Sequence, residues 1–150
     1  MPYSYELDEE DEKKTAKAYG KEINMSFKKS NEVCYAIKGM KVDAAIAYLE
    51  KVITKEAFVP FRRYKTKIGH KRGGQPGKYP RKPAKKIIEL LKNAKANAEH
   101  KGLNDERLKI EHATANKALE FPRIRPKGGK GSPRTHNMEL TNVEIILREY

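Results

Sequence analysis

Cysteine, tryptophan and long apolar runs are what this sequence of 150 residues has least of. Nothing in it approaches the roughly 20 consecutive apolar residues that cross a bilayer. The chain also does not open on a basic start followed by an apolar run, so neither a membrane span nor a secretory signal is expected. The single cysteine, Cys34, excludes an internal disulfide and suits a reducing cytoplasm. A charged fraction of 35% with no tryptophan leaves material for only a small core. Acids are missing locally as well, since none occurs between Ala57 and Ile88.

Positive charge, by contrast, is abundant. Lys and Arg number 33 against 20 Asp and Glu, a formal charge of +13. Six of the acids (Glu6, Asp8, Glu9, Glu10, Asp11, Glu12) fall in the first twelve residues, which hold no Lys or Arg. The rest of the chain is therefore six charges more positive than the whole. Such a chain repels itself unless a polyanion neutralises it, which points to nucleic acid or an anionic surface. With no apolar anchor in view, nucleic acid is the expected partner and a membrane is not.

Residues 1–20 show no helical or strand period and read as an acidic leader, flexible or ordered by a partner. Residues 21–150 read as one nucleic-acid-binding domain. Ile23, Met25 and Phe27 alternate with Glu22, Asn24 and Ser26, the period of a half-buried strand. Ser30 or Asn31 can cap a helix carrying Val33, Ala36, Ile37 and Met40, with Gly39 suited to its end. Val42, Ala45, Ile46, Leu49, Val52 and Ile53 mark a second helix, which Pro60 stops. Past Pro83 the stripe Ala84, Ile87, Ile88, Leu91, Ala94 and Ala98 predicts a third, with Gly102 after its last turn. Leu108, Ile110 and His112 alternate with Lys109, Glu111 and Ala113, and Val143, Ile145 and Leu147 alternate near the end. These predict two long antiparallel strands joined by a tip at residues 121–136. A strand of about 13 residues spans roughly 43 Å, more than three short helices cover, so the distal hairpin should project. An isolated two-stranded ribbon is marginal in water, so its tip needs a partner. The expected fold is α+β: a small antiparallel three-stranded sheet, three helices packed on one face, and a long protruding β-hairpin.

The residues of interest lie in two segments. The stretch 59–83, VPFRRYKTKIGHKRGGQPGKYPRKP, is too long and too charged for an ordinary connection. With the start of the third helix it carries eleven cations: Arg62, Arg63, Lys65, Lys67, Lys71, Arg72, Lys78, Arg81, Lys82, Lys85 and Lys86. Tyr64, His70 and Tyr79 are interleaved. Cations neutralise phosphates and release counterions, and Tyr or Arg planes stack on unpaired bases. The plain alternative is a solvated loop, but solubility does not need eleven like charges in about thirty residues. The tip adds Arg123, Arg125, Lys127, Lys130 and Arg134, with Gly128, Gly129 and Gly131 among them and His136 beyond. Small and basic residues together suit threading between RNA helices, in a segment disordered alone and ordered when bound. GGKGS, residues 128–132, lacks the GxxxxGK[ST] string of a nucleotide-binding loop. His70, His100, His112 and His136 match no zinc spacing, and Cys34 has no partner cysteine. His112 is expected on the apolar strand face as a structural histidine. Glu111 beside it makes no acid–base pair without a third group and a pocket. No catalysis, no cofactor and no metal are expected. The leader reads as an unstructured tail, though its acids could instead mimic phosphate and shield the basic surface.

Specific strings go further than composition. AIKGMKVDAAIAYLEKV (36–52), PAKKIIELLKNAKANAEHKG (83–102), IEHATANKA (110–118) and RTHNMELTNVEIIL (134–147) resemble, in that order, the universal large-subunit ribosomal protein family numbered twenty-two in bacteria. The stretch 59–83 departs from the bacterial form, where it is much shorter, and resembles the archaeal and eukaryotic branch, whose eukaryotic member is numbered seventeen. The resemblance implies a non-enzymatic cytoplasmic protein of the ribosome that binds large-subunit ribosomal RNA and aids assembly beside neighbouring ribosomal proteins. It also implies that the hairpin tip, Arg123 to Arg134, lines the exit tunnel and meets the nascent peptide, while the cluster from Arg62 to Lys86 grips RNA near the hairpin base. Two other classes share the charge. A free DNA-compacting protein would need a compact dimer and no ribbon. An RNA-processing enzyme would need carboxylates or metal ligands gathered round a pocket.

Overall fold

The computed structural model describes residues 12–125 and 134–150, with side chains described for 12–122 and 137–150. Its main sheet is built on the last strand of the chain. β1 (Thr15–Asn24) and β4 (Leu108–Arg125) both pair antiparallel with β5 (Arg134–Glu149), in the order β1-β5-β4. Val143, Ile145 and Leu147 of β5 are fully buried beneath the helices, and Ile146 is fully buried on the other side. Burial on both sides fits the near-continuous apolar run at this point, as expected for a central strand.

β1 begins well before the alternation read from Ile23 onward. Its inward residues are Ala16, Ala18 and Gly20, paired with Leu147, Ile145 and Val143. They are too small to stand out as an apolar period. A Cβ on Gly20 would come within 2.6 Å of the Ile23 side chain and 2.8 Å of Leu90, so a small residue lets the strand lie close beneath the helix above it. A bulge between Gly20 and Ile23 shifts the register, pairing resumes at Ile23↔Thr141 and Asn24↔Leu140, and Phe27 opens a helix rather than continuing the strand. Six residues assigned to the leader by composition, Thr15–Gly20, therefore belong to the sheet.

Three helices cover one sheet face. α1 (Phe27–Ile37) buries Val33, Cys34 and Ile37. It starts four residues earlier than a Ser30 cap predicts, and the Ser30 hydroxyl instead donates to the Ser26 carbonyl at 2.8 Å. Gly39, at φ +84°, ends the turn that follows, as expected. α2 (Val42–Thr54) buries Val42, Ala45, Leu49 and Val52. It stops at Lys55 in the left-handed conformation, before Pro60 is reached. α3 (Arg81–His100) takes in Pro83, because proline within the first turn removes no intrahelical hydrogen bond. Its predicted stripe, from Ala84 to Ala98, is buried throughout, and Gly102 follows at φ +74°.

Bulges decide the faces of β4. Leu108 and Ile110 point into the core; after a register shift between Ile110 and His112, Ala113 and Ala115 do. The shift carries His112 off the apolar face expected for it and onto the opposite one, where its Nε2 lies 4.0 Å from Glu144. A second shift falls between Lys117 and Glu120. Beyond it Leu119 and Phe121 are 57% and 47% exposed, and the ribbon continues as a pair of strands to Arg125↔Arg134. The ladder therefore runs five residues of β4 and three of β5 into what was expected to be tip. Pro122 is tolerated there because β4 is an edge strand.

Candidate nucleic-acid interface

The insert after α2 is folded onto the body. A two-stranded ladder pairs β2 (Val59–Pro60) with β3 (Gly77–Lys78). Phe61 donates its backbone N–H to the Pro76 carbonyl at 2.8 Å, and Lys71 donates to the Gln75 carbonyl at 2.8 Å. Gly73 and Gly74, both at positive φ, make the turn between. Val59 and Phe61 point into the core and anchor one arm.

The other anchor is a carboxylate. Glu32, on α1 and only 2% exposed, accepts the backbone N–H groups of Arg62 (2.9 Å), Arg63 (2.8 Å) and Tyr64 (2.8 Å). Three successive donors around one anion form a concave nest in which the carboxylate is fully used. The buried charge is thus satisfied by backbone, which leaves both arginine side chains free to point outward. Sequence reasoning missed Glu32; the only signal is that it is the sole acid between Ile23 and Val42, beside an apolar helix stripe.

Ten of the eleven cations are exposed: Arg62, Arg63, Lys65, Lys67, Arg72, Lys78, Arg81, Lys82, Lys85 and Lys86; Lys71 is partly covered. Among the described residues, Lys86 alone of the eleven has a carboxylate partner, Glu89 at 2.8 Å. Lys82 donates to the Asn24 side chain at 3.3 Å. Arg81, Lys82, Lys85, Lys86 and Glu89 line an open depression of about 430 Å³ on the first turns of α3, where the positive end of the helix dipole adds to the field of the four cations.

The interleaved aromatics divide. Tyr64 packs edge-on against Phe27 at 6.1 Å, beneath Lys28 and Arg63, and so is partly structural. Tyr79 lies under the Lys71 ammonium at 4.9 Å, and His70 is exposed, bridged through its backbone to Pro76. Tyr35, not anticipated, stands 55% exposed with the Arg62 guanidinium 4.9 Å from its ring centre. In the hairpin, Arg123 pairs with His136 and Arg125 with Arg134 along the backbone ladder. Lys127, Gly128, Gly129, Lys130 and Gly131 lie outside the described residues, as does the leader up to residue 11.

The one thiol, Cys34, is buried and its pKa is pushed up to about 12 by desolvation, so it stays neutral. Burial lowers the pKa of His112, and Lys38 lowers it further, against the opposing pull of Glu144 and Glu111. No cluster of three or more metal-ligating side chains exists among the described residues, and no helix among them is long and apolar enough to cross a membrane.

A sequence profile described as "Ribosomal protein L22p/L17e" matches residues 18–148. Large ribosomal subunit protein uL22 of Methanocaldococcus jannaschii is 45% identical over 141 residues, 91% of this chain and 89% of that protein. The protein of the same name from Methanococcoides burtonii is 44% identical over 151 residues, covering 99% and 97%. That from Archaeoglobus fulgidus is 42% identical over 147 residues, covering 95% and 94%.

Proposed function

The chain belongs to the ribosomal protein L22p/L17e family, and from that premise we propose that it binds large-subunit ribosomal RNA through the face built by the insert and the start of α3, while its hairpin tip lines the nascent-peptide exit tunnel. Membership makes it a structural, non-enzymatic constituent of the large subunit, located in the cytoplasmic ribosome. The RNA contact and the tunnel are the finer reading.

One observation carries it. Ten exposed cations are arrayed on a rigidly anchored surface with a single carboxylate partner among the described residues. A folded surface that leaves its cations unpaired repels itself, and a polyanion removes that repulsion by releasing its own counterions. The ribbon adds reach: 18 residues of β4 extend about 60 Å at roughly 3.3 Å per residue, so RNA and nascent peptide far from the body come within range. Arg123, Arg125, Arg134 and His136 stand on that distal ladder, with Lys127, Gly128, Gly129, Lys130 and Gly131 between its strands in sequence. The nascent peptide and neighbouring ribosomal proteins are the further partners.

Crosslinking the tagged protein in its native cells and sequencing the bound RNA tests this. Recovery dominated by large-subunit ribosomal RNA, with co-sedimentation on large subunits in moderate salt, is the expected result. Scattered DNA or messenger RNA without co-sedimentation would overturn the reading in favour of a free nucleic-acid binder.

A further inference from the structure

We propose that the groove between Tyr35 and Tyr48 is a docking site for an unpaired nucleotide, with Tyr35 as its stacking platform. The inference rests on the RNA-binding reading above and adds a place on the surface, away from α3, where a base is held as well as its phosphate. The groove, about 650 Å³, is lined by Tyr35, Met40, Tyr48, Pro60, Lys38 and Arg62. Its walls come from α1, α2 and β2, and its lining residues include two cations and no acid.

Two of those walls are held in place. The Tyr48 hydroxyl donates to the Phe58 carbonyl at 2.8 Å, which fixes its ring. Arg62 is held at its backbone by Glu32 and at its side chain by Tyr35, whose hydroxyl accepts from Nη1 at 3.3 Å. The guanidinium lies 4.9 Å from the Tyr35 ring centre, and the ring remains 55% exposed. Tyr35 is one of four large apolar or aromatic side chains left exposed among the described residues, with Leu119, Phe121 and Tyr150, and of these it is the one that lines this groove. A base presents a flat face to such a ring, and its phosphates meet Lys38 and Arg62; a duplex, its bases stacked inside, cannot offer that face. Charge excludes an acid-poor peptide as the matching occupant, since the rim would then keep two unneutralised cations.

Tyr35→Trp tests the site directly. The chain contains no tryptophan, so indole emission from that variant reports this position alone. On saturation with large-subunit ribosomal RNA the emission should be quenched, as stacking on a base requires. Tyr35→Ala should weaken RNA binding roughly tenfold with no change in its salt slope, because no phosphate contact is lost. Tyr35→Phe, which keeps the ring, should bind within about twofold of the parent chain. If Tyr35→Trp binds RNA with parental affinity and slope while its emission is unquenched, the platform is wrong and the RNA-binding reading stands. A blue shift without quenching in assembled subunits would give the groove to a protein neighbour and overturn the proposal likewise. Failure of the unsubstituted chain to bind this RNA would instead remove the function proposed above, and the platform with it.

Discussion

At the scale of single residues, the most consequential group is a carboxylate buried beneath the arm it holds. Glu32 satisfies three backbone donors of the basic arm from inside the core. Removing it by Glu32→Ala strands those donors, and an unmet buried donor costs about 1–3 kcal/mol. Allowing for water reaching part of the site, the variant should lose about 2–4 kcal/mol in chemical denaturation; Glu32→Gln, which keeps one oxygen acceptor, should lose less. An unchanged midpoint in both would mean that the nest contributes nothing. His112 makes a second prediction. Its folded-state pKa lies below the ordinary histidine value through burial first and Lys38 second. Below about pH 6.5 the unfolded chain takes a proton that the folded chain refuses, so stability falls as pH drops through the folded pKa. His112→Gln should flatten the pH dependence of the unfolding midpoint in that window. An identical profile would place the acid sensitivity elsewhere.

At the scale of elements, the insert behaves as a small hairpin stapled to the body at its two-stranded ladder. Gly77 sits in that ladder opposite Pro60, where a Cβ would run into the Phe58 ring and meet the Val59 carbonyl at 3.1 Å. Gly77→Ala should therefore loosen the arm, raising hydrogen exchange across residues 59–78 and lowering RNA affinity several-fold, while the main sheet stays protected. Uniform protection after the substitution would refute the staple. On the proposed reading, the cations on this element and on α3 act through phosphate. Replacing Arg62, Arg63, Arg81 and Lys82 by Gln should flatten the dependence of log affinity on log salt by roughly 0.7–0.9 per lost contact. An unchanged slope would sink the assignment of the cluster to phosphate. Helix α3 shows why some elements were legible and others not. Its buried residues recur every three or four positions over 20 residues, a signal with many repeats. β1 buries two alanines and a glycine, and three small side chains leave no pattern to find.

At the scale of the whole molecule, a covered sheet passes into an uncovered ribbon within the same two strands. The helices pack on the sheet over Ala16, Ala18, Ala113, Ala115 and the inward residues of β5, and Leu119 and Phe121 lie beyond their cover. Stability is thus concentrated in the body and reach in the hairpin. Replacing residues 125–131 by a two-residue turn should leave the unfolding midpoint within about 1 kcal/mol of the parent and most of the RNA affinity intact, since the uncovered ribbon buries little. Its effect should show instead as altered passage of nascent chains in ribosomes carrying the variant. Complete failure to enter the subunit would show that the tip is needed for assembly.

Composition and pattern by themselves determined the three helices, the hairpin and the basic insert, and raised the expectation of a polyanion partner, because net charge and repeated apolar spacing are properties of the chain before it folds. Residue strings added the family. What only the tertiary structure decided depends on contacts between distant segments: the pairing of Ala16 with Leu147, the bulge that turns His112 to the other face, and the arm of residues 62–64 gathered on Glu32. The same holds for Tyr35, one of eight tyrosines in the sequence, whose ring folding leaves exposed beside Arg62. A carboxylate or a phenol has its chemistry from its own atoms, but which groups it meets is settled by packing between elements far apart in the chain, 27 residues for Tyr35 and Arg62 and 30 for Glu32 and Arg62.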